Sequence, residues 1–185
     1  IKTLKRYWGR QFSQVKEEGI EAIWRKLKTI RRRLIIFFMS ILGIPIVLVI
    51  RLIKPWYWIR FGWFFGSRIG HFAFDVEYYL TERKLGLHPE KANDIFFYRW
   101  GNPANIFFSK LTKRHLYIGT WVEPLYYAND WLPGGNQHKI LPAYWTSVSR
   151  DMKGLLREIG PQLEFNKDET LKGHSFLESL DIKDK

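Results

Sequence analysis

The sequence predicts an α/β fold with a mainly parallel sheet, preceded by a basic amphipathic helix and a membrane-inserted helix. Three observations predict it. Residues 34–50 form an apolar run without a charge, the positive excess of the chain surrounds that run, and beyond Pro55 short apolar stretches alternate with stretches of helical periodicity. With 185 residues, 46% of them hydrophobic, the chain is long enough for one sizeable core and too apolar for a disordered tail. The expected organisation is a helix over 1–33, a membrane segment over 34–54 and an α/β domain over 55–185.

Charge placement narrows the class of partner. Residues 1–33 carry eleven Lys/Arg against Glu17, Glu18 and Glu21, a net of +8. Residues 34–70 add Arg51, Lys54, Arg60 and Arg68 with no acid, which completes the +12 of the chain. Residues 71–185 hold fifteen bases and fifteen acids and are neutral. A nucleic-acid-binding domain would carry its basic footprint on the folded part, so nucleic acid is not an expected partner. Anionic lipid headgroups, which attract juxtamembrane Lys/Arg clusters, fit the distribution better. There is no cysteine, which excludes a disulfide framework, a thiolate nucleophile and a Cys-ligated metal.

The first helix follows from Leu4, Trp8, Phe12 and Val15, then Ile20, Ile23, Trp24, Leu27 and Ile30, which recur at helical spacing with a break near Gly19. Its basic polar face suits a membrane interface; packing on the domain is the other reading. The run 34–50 lies at the lower limit for spanning, and extends to twenty residues if Arg51 snorkels. A buried core helix is the alternative for it. Expected membrane-binding residues are Arg31, Arg32 and Arg33 before the run, and Arg51, Lys54, Trp56 and Trp58 after it, the tryptophans as part of an aromatic belt. Pro45, in the middle, removes a helix hydrogen bond and predicts a kink. A straight span would put the domain outside, because the N-terminal flank is the more basic; a bent helix entering and leaving on one face would keep both flanks cytoplasmic. The residues alone leave both arrangements open.

In the domain, 58–65 reads as a buried first strand, Gly66 and Ser67 as a turn, and Ile69, Phe72, Ala73, Val76 and Leu80 as one face of a helix to about Lys84. A second strand is expected over 94–100. Asn102 and Pro103 predict the start of a helix with Ala104, Phe107, Phe108 and Leu111 inside. A short strand over 116–119 follows, and Thr120 and Glu123 have the spacing of a capping box for a helix to about Asp130. Pro133, Gly134, Gly135 and Asn136 form a loop. Short strands are expected around Ile140 and Trp145, and helices over 152–159 and 168–180.

Chemistry concentrates in Gly66, Ser67, Arg68, Ile69, Gly70 and His71, where glycines between a strand and a helix let a ligand approach the helix N-terminus. The spacing matches neither a dinucleotide fingerprint nor a phosphate loop. His71 and Asp75, one helical turn apart, are the candidate catalytic pair: the carboxylate would orient the imidazole as a general base or substrate contact. Without a third ligand they predict no metal. Arg68 suits a phosphate or a neighbouring carboxylate. Asn102 is read first as a helix cap and second as a ligand contact.

Ile50-Arg51-Leu52-Ile53, Ile59-Arg60-Phe61-Gly62 and above all Ser67-Arg68-Ile69-Gly70-His71-Phe72-Ala73, followed by Asp75, Glu77 and Tyr79-Leu80, resemble the N-terminal part of a family of bacterial glycosyltransferases of surface carbohydrate synthesis. The resemblance covers roughly residues 45–110. It implies a Rossmann-like half of a two-domain, GT-B-like enzyme that receives the acceptor, a nucleotide-sugar donor without an obligatory metal or other cofactor, and a donor-binding domain beyond Lys185. It further implies Arg68, Gly70, Glu77 and Asn102 as substrate contacts, a lipid-linked or surface glycan precursor as acceptor, and the bacterial inner membrane, domain toward the cytoplasm, as location. A non-enzymatic membrane adaptor, binding anionic lipid and a protein, is the expectation from a different class.

Overall fold

The computed structural model describes residues 2–99, 101–140, 151 and 153–180, with side chains from residue 19 onward except residue 22. Helix α1 (Lys2–Leu52) is followed by β1 (Trp58–Phe64), α2 (Ile69–Lys84), β2 (Ala92–Tyr98), α3 (Ile106–His115), β3 (Tyr117–Ile118), α4 (Val122–Trp131), a 3₁₀ turn (Gly135–His138), α5 (Leu155–Ile159) and α6 (Lys167–Ser179). The strands are parallel in the order β1-β2-β3, in register from Trp58 opposite Ala92 to Phe64 opposite Tyr98, and from Ile95 opposite Tyr117. On the free side of β1, Phe61 bridges Lys139 in parallel, and the Ile140 amide donates to the Phe61 carbonyl at 2.9 Å. The expected α/β alternation and parallel sheet are therefore present. The strand expected near Trp145 lies outside the described residues.

Alternation along the strands sends side chains to two apolar layers. Phe61, Trp63 and Phe97 face α1 and α4, where they meet Val47, Ile50, Val122, Leu125 and Ala128. Phe64 and Phe96 face α2 and α3 and meet Phe72, Val76, Tyr79 and Leu111. Gly62 is needed because the Phe96 ring lies across it; a Cβ there would stand 2.5 Å from Phe96 Cε1.

The apolar run of α1 is thus one layer of the domain as well as a candidate for the membrane. Ser40, Gly43, Val47 and Ile50, spaced three and four apart, form its buried stripe, while Leu34, Phe38, Leu42, Ile46 and Val49 stay exposed. Gly43 sits where α4 comes closest, since a Cβ there would be 2.9 Å from Leu125 Cδ2. Burial of Val47 and Ile50 contributes about 1.5–3 kcal/mol each. The residue of α1 that departs from helical dihedrals is Gly19 (φ 61°), as its position in the pattern predicts. Dihedrals stay helical through Pro45, and the segment continues as a helix to Leu52.

Two expected caps are corrected. Asn102 precedes α3 by several residues, and the cap is Asn105, whose side chain accepts from the Phe108 amide at 2.9 Å. No capping box forms at Thr120, because α4 begins at Val122 behind Trp121 and the Glu123 carboxylate is held by Arg32 at 2.6 Å. A capping box does form at α6, where Asn166 and Glu169 exchange bonds and Glu169 also pairs with Arg114.

Charge is buried toward the amino ends of the strands. Arg60, directly opposite Asp94 in the register, donates from Nε at 2.7 Å and from Nη2 at 2.6 Å to its two oxygens. The Tyr79 hydroxyl donates to Asp94 as well, and His88 bridges Arg60 and Glu82. This network shares the α2 side of the sheet with Phe64 and Phe96 and locks β1, β2 and α2 together.

Candidate functional site

Two places gather polar and charged side chains: the carboxyl end of β1 and a groove between α1 and α4. After β3 the chain passes through α4 to the opposite side of β1, so the order of neighbours reverses at β1. In open parallel sheets the crevice outside the strand ends at such a reversal is the usual ligand site. The glycine-rich turn, residues 66–71, lies at this point. Gly66 packs under Tyr98, where a Cβ would be 3.0 Å from the ring, and its carbonyl accepts from the Ala104 amide at 2.7 Å. Arg68 is the exposed residue before α2, and Gly70 faces open space, with no heavy atom within 4 Å of where its Cβ would be. Asn102 is exposed in the loop after β2, the adjacent strand.

The expected pairing of His71 with Asp75 does not form. Both Asp75 oxygens are buried and accept no hydrogen bond, while the imidazole lies 5.7 Å from the Phe65 ring. Helical spacing puts the two residues on one side of α2, yet the Asp75 carboxyl accepts nothing and the His71 ring lies near Phe65, the residue after β1. Burial pushes the Asp75 carboxyl up to about 8. At neutral pH it is therefore chiefly a neutral acid, and a buried, unsatisfied, perturbed carboxyl is an unusual thing for a fold to keep. Glu77, expected at substrate, has both oxygens occupied by the backbone amides of Gln162 (2.8 Å) and Leu163 (3.0 Å), which ties the chain after α5 to α2.

Asp75 sets a pH dependence. Its folded-state value lies above the ordinary carboxylate value of 3.8, so the folded protein holds the proton more tightly than the unfolded chain, and stability declines as pH rises from about 4 to about 8. We expect Asp75→Asn to leave stability near pH 4 almost unchanged and to raise it by about 2–4 kcal/mol near pH 8. Denaturant unfolding at the two pH values measures this; parallel pH profiles for both proteins would refute it.

The second place lies between α1 and α4. A groove of about 350 Å³ is lined by Arg32, Arg33, Phe37, Arg99, Glu123 and Tyr127, among others. Arg99, at the end of β2, rests on the Trp63 ring at 4.4 Å. Burial raises the Glu123 carboxyl, and Arg32 and Arg99 oppose that shift. Burial also raises Tyr127, against the influence of Arg99.

Several expected membrane contacts are instead internal. Arg51 donates to Asn129 Oδ1 (2.8 Å from Nη2), the Asn129 carbonyl (2.9 Å) and the Pro133 carbonyl (2.6 Å). These are groups at and just beyond the carboxyl end of α4, where helix carbonyls lack intrahelical partners and attract a cation. Lys54 bonds Gln137, and the Trp58 indole donates to the Gln137 carbonyl at 2.9 Å. Arg31 and Arg33 remain exposed, as does Trp56 at 82%. Sequence reasoning had no signal for the Arg32–Glu123 or Arg51–Asn129 pairs, which join residues 91 and 78 positions apart. It also gave His138 no role; its Nδ1 donates to the Ile59 carbonyl at 2.6 Å, and burial lowers its basicity.

Among the described residues no cluster of three or more His, Asp or Glu suits a metal ion, and one helix, Gly19–Leu52, is long and apolar enough to cross a membrane. No family model, no curated protein and no solved structure matches the chain.

Proposed function

We propose that this chain is the membrane-attached, acceptor-receiving part of a glycosyltransferase that takes a sugar from a nucleotide-sugar donor. The observation that carries the reading is that the apolar run of α1 packs on the sheet and begins at the groove that includes Arg99, just past the carboxyl end of β2. An amphiphilic acceptor lying in the bilayer would thereby be presented to the edge of the sheet where α/β folds place their ligands. The Arg-Ile-Gly-His segment, with Gly70 open to solvent and Arg68 exposed at the start of α2, suits sugar hydroxyls or a phosphate. Asp75, neutral at physiological pH, would tune this region as a proton-holding group and not as an anchor for His71.

Attachment from one face, domain toward the cytoplasm, belongs to the same proposal. Arg32 and Arg51 flank the charge-free run, and both are bound to α4 and the loop after it. A ten-residue helix is about 15 Å long, half the roughly 30 Å of a hydrocarbon core, so one water-facing α4 cannot hold both ends of a perpendicular span. Lying along the interface satisfies both contacts and points Leu42, Ile46 and Val49 into lipid.

The test is transfer of labelled sugar from a panel of nucleotide-sugars to solvent-extractable acceptors by membranes containing the overproduced protein. We expect label incorporation that His71→Ala reduces at least a hundredfold while membrane attachment persists. Attachment without transfer from any donor would favour the adaptor.

A further inference from the structure

Resting on the reading of α1 as a membrane-attached helix, we propose that the groove between α1 and α4 binds the phosphate headgroup of an anionic amphiphile whose chain runs along Phe37 and the exposed face of α1. Three guanidinium groups, those of Arg32, Arg33 and Arg99, line this groove beside a single carboxylate, Glu123. The described side chains lining the groove thus carry formal charges of three plus and one minus, whereas residues 71–185 as a whole are neutral. Arg32 gives one N–H, from Nη2, to Glu123 and has further donors; Arg33 has no partner among the described residues. Forked guanidinium donors suit phosphate oxygens better than ammonium groups would.

The walls supply the other half of the recognition. Phe37 and Trp131 stand 5.5 Å apart at the rim, and Phe37 leads directly onto the exposed apolar side of α1 at Phe38 and Ile41. Tryptophan and tyrosine, here Trp131 and Tyr127, favour the level of lipid headgroups. A soluble anion would meet the arginines but leave this apolar ramp uncovered. An amphiphile covers both.

Binding of dihexanoyl phosphatidic acid, soluble as a monomer, to the full chain in detergent tests the groove without a bilayer. Arg33→Gln is expected to weaken it about fivefold to tenfold, the effect of about 1 kcal/mol per cation or slightly more. Arg157→Gln removes the same charge from the exposed side of α5, outside the groove, and is expected to change it less than twofold. Equal losses in the two variants would mean diffuse attraction and would overturn the site. Inorganic pyrophosphate, titrated in parallel, is expected to compete only weakly; competition as strong as that of the lipid would overturn the amphiphile. Failure of the membrane reading itself would show separately, as absent flotation of the unmodified protein with phosphatidylcholine vesicles.

Discussion

Replacing Asp94 by alanine is expected to cost about 3–5 kcal/mol of folding free energy, because it breaks a buried ion pair and leaves one partner behind. Its two oxygens receive both bonds of the Arg60 fork and that of Tyr79, and the Arg60 and Asp94 side chains are 9% and 3% exposed. Truncation leaves a guanidinium in the apolar layer with His88 as its other partner, so the penalty is that of an uncompensated buried charge. For a chain of this size the loss corresponds to a fall in Tm of roughly 10–15 °C, measurable by circular dichroism in detergent. The double replacement Arg60→Met with Asp94→Leu should recover most of the loss, because an apolar pair of similar volume removes both charges together. A double variant no better than the single one would assign the effect to packing and not to charge.

Placing arginine at Leu42 and Leu48 together should abolish attachment to phosphatidylcholine vesicles. Both side chains are more than half exposed and belong to neither core cluster. On a helix lying in the interface each substitution forfeits the burial of a leucine in lipid, about 1.5–3 kcal/mol. Each arginine is thus expected to lower partitioning roughly tenfold to a hundredfold. Vesicle flotation reads the result, and an unchanged thermal transition in detergent confirms that the domain is intact. Flotation equal to that of the unmodified protein would remove the exposed face of α1 from membrane attachment.

Much of the architecture was legible because it depends on local periodicity. The 3.6-residue recurrence in α2, the buried aromatic run that became β1, and the break at Gly19 are each written into a short stretch of chain. The caps were less legible. An Asn-Pro pair and a Thr-x-x-Glu spacing are weak signals that a few residues of displacement defeat, as Asn105 and the Arg32–Glu123 pair show. The candidate site was half legible. The glycine-rich turn after β1 is a local signature, and its place at the reversal of strand order gives it meaning. The expected His71–Asp75 pair failed because i,i+4 spacing brings two residues to one side of a helix without fixing where their side chains point.

By itself, the sequence determined an apolar helix with basic flanks, an α/β domain that is neutral from residue 71 onward and a small, turn-centred cluster of candidate residues, since composition, charge and periodicity are properties of neighbouring positions. Only the tertiary structure decided that one stripe of that helix, Ser40 through Ile50, is a layer of the domain core while the opposite side stays bare. It also decided that Arg51 is an internal clasp, that Arg32 pairs with Glu123, and that Arg99 joins the groove beside them. The physical reason is the same in each case: whether a cation meets a headgroup, a helix carbonyl or a buried carboxylate depends on groups brought close by packing, and nothing in the local chain records that approach.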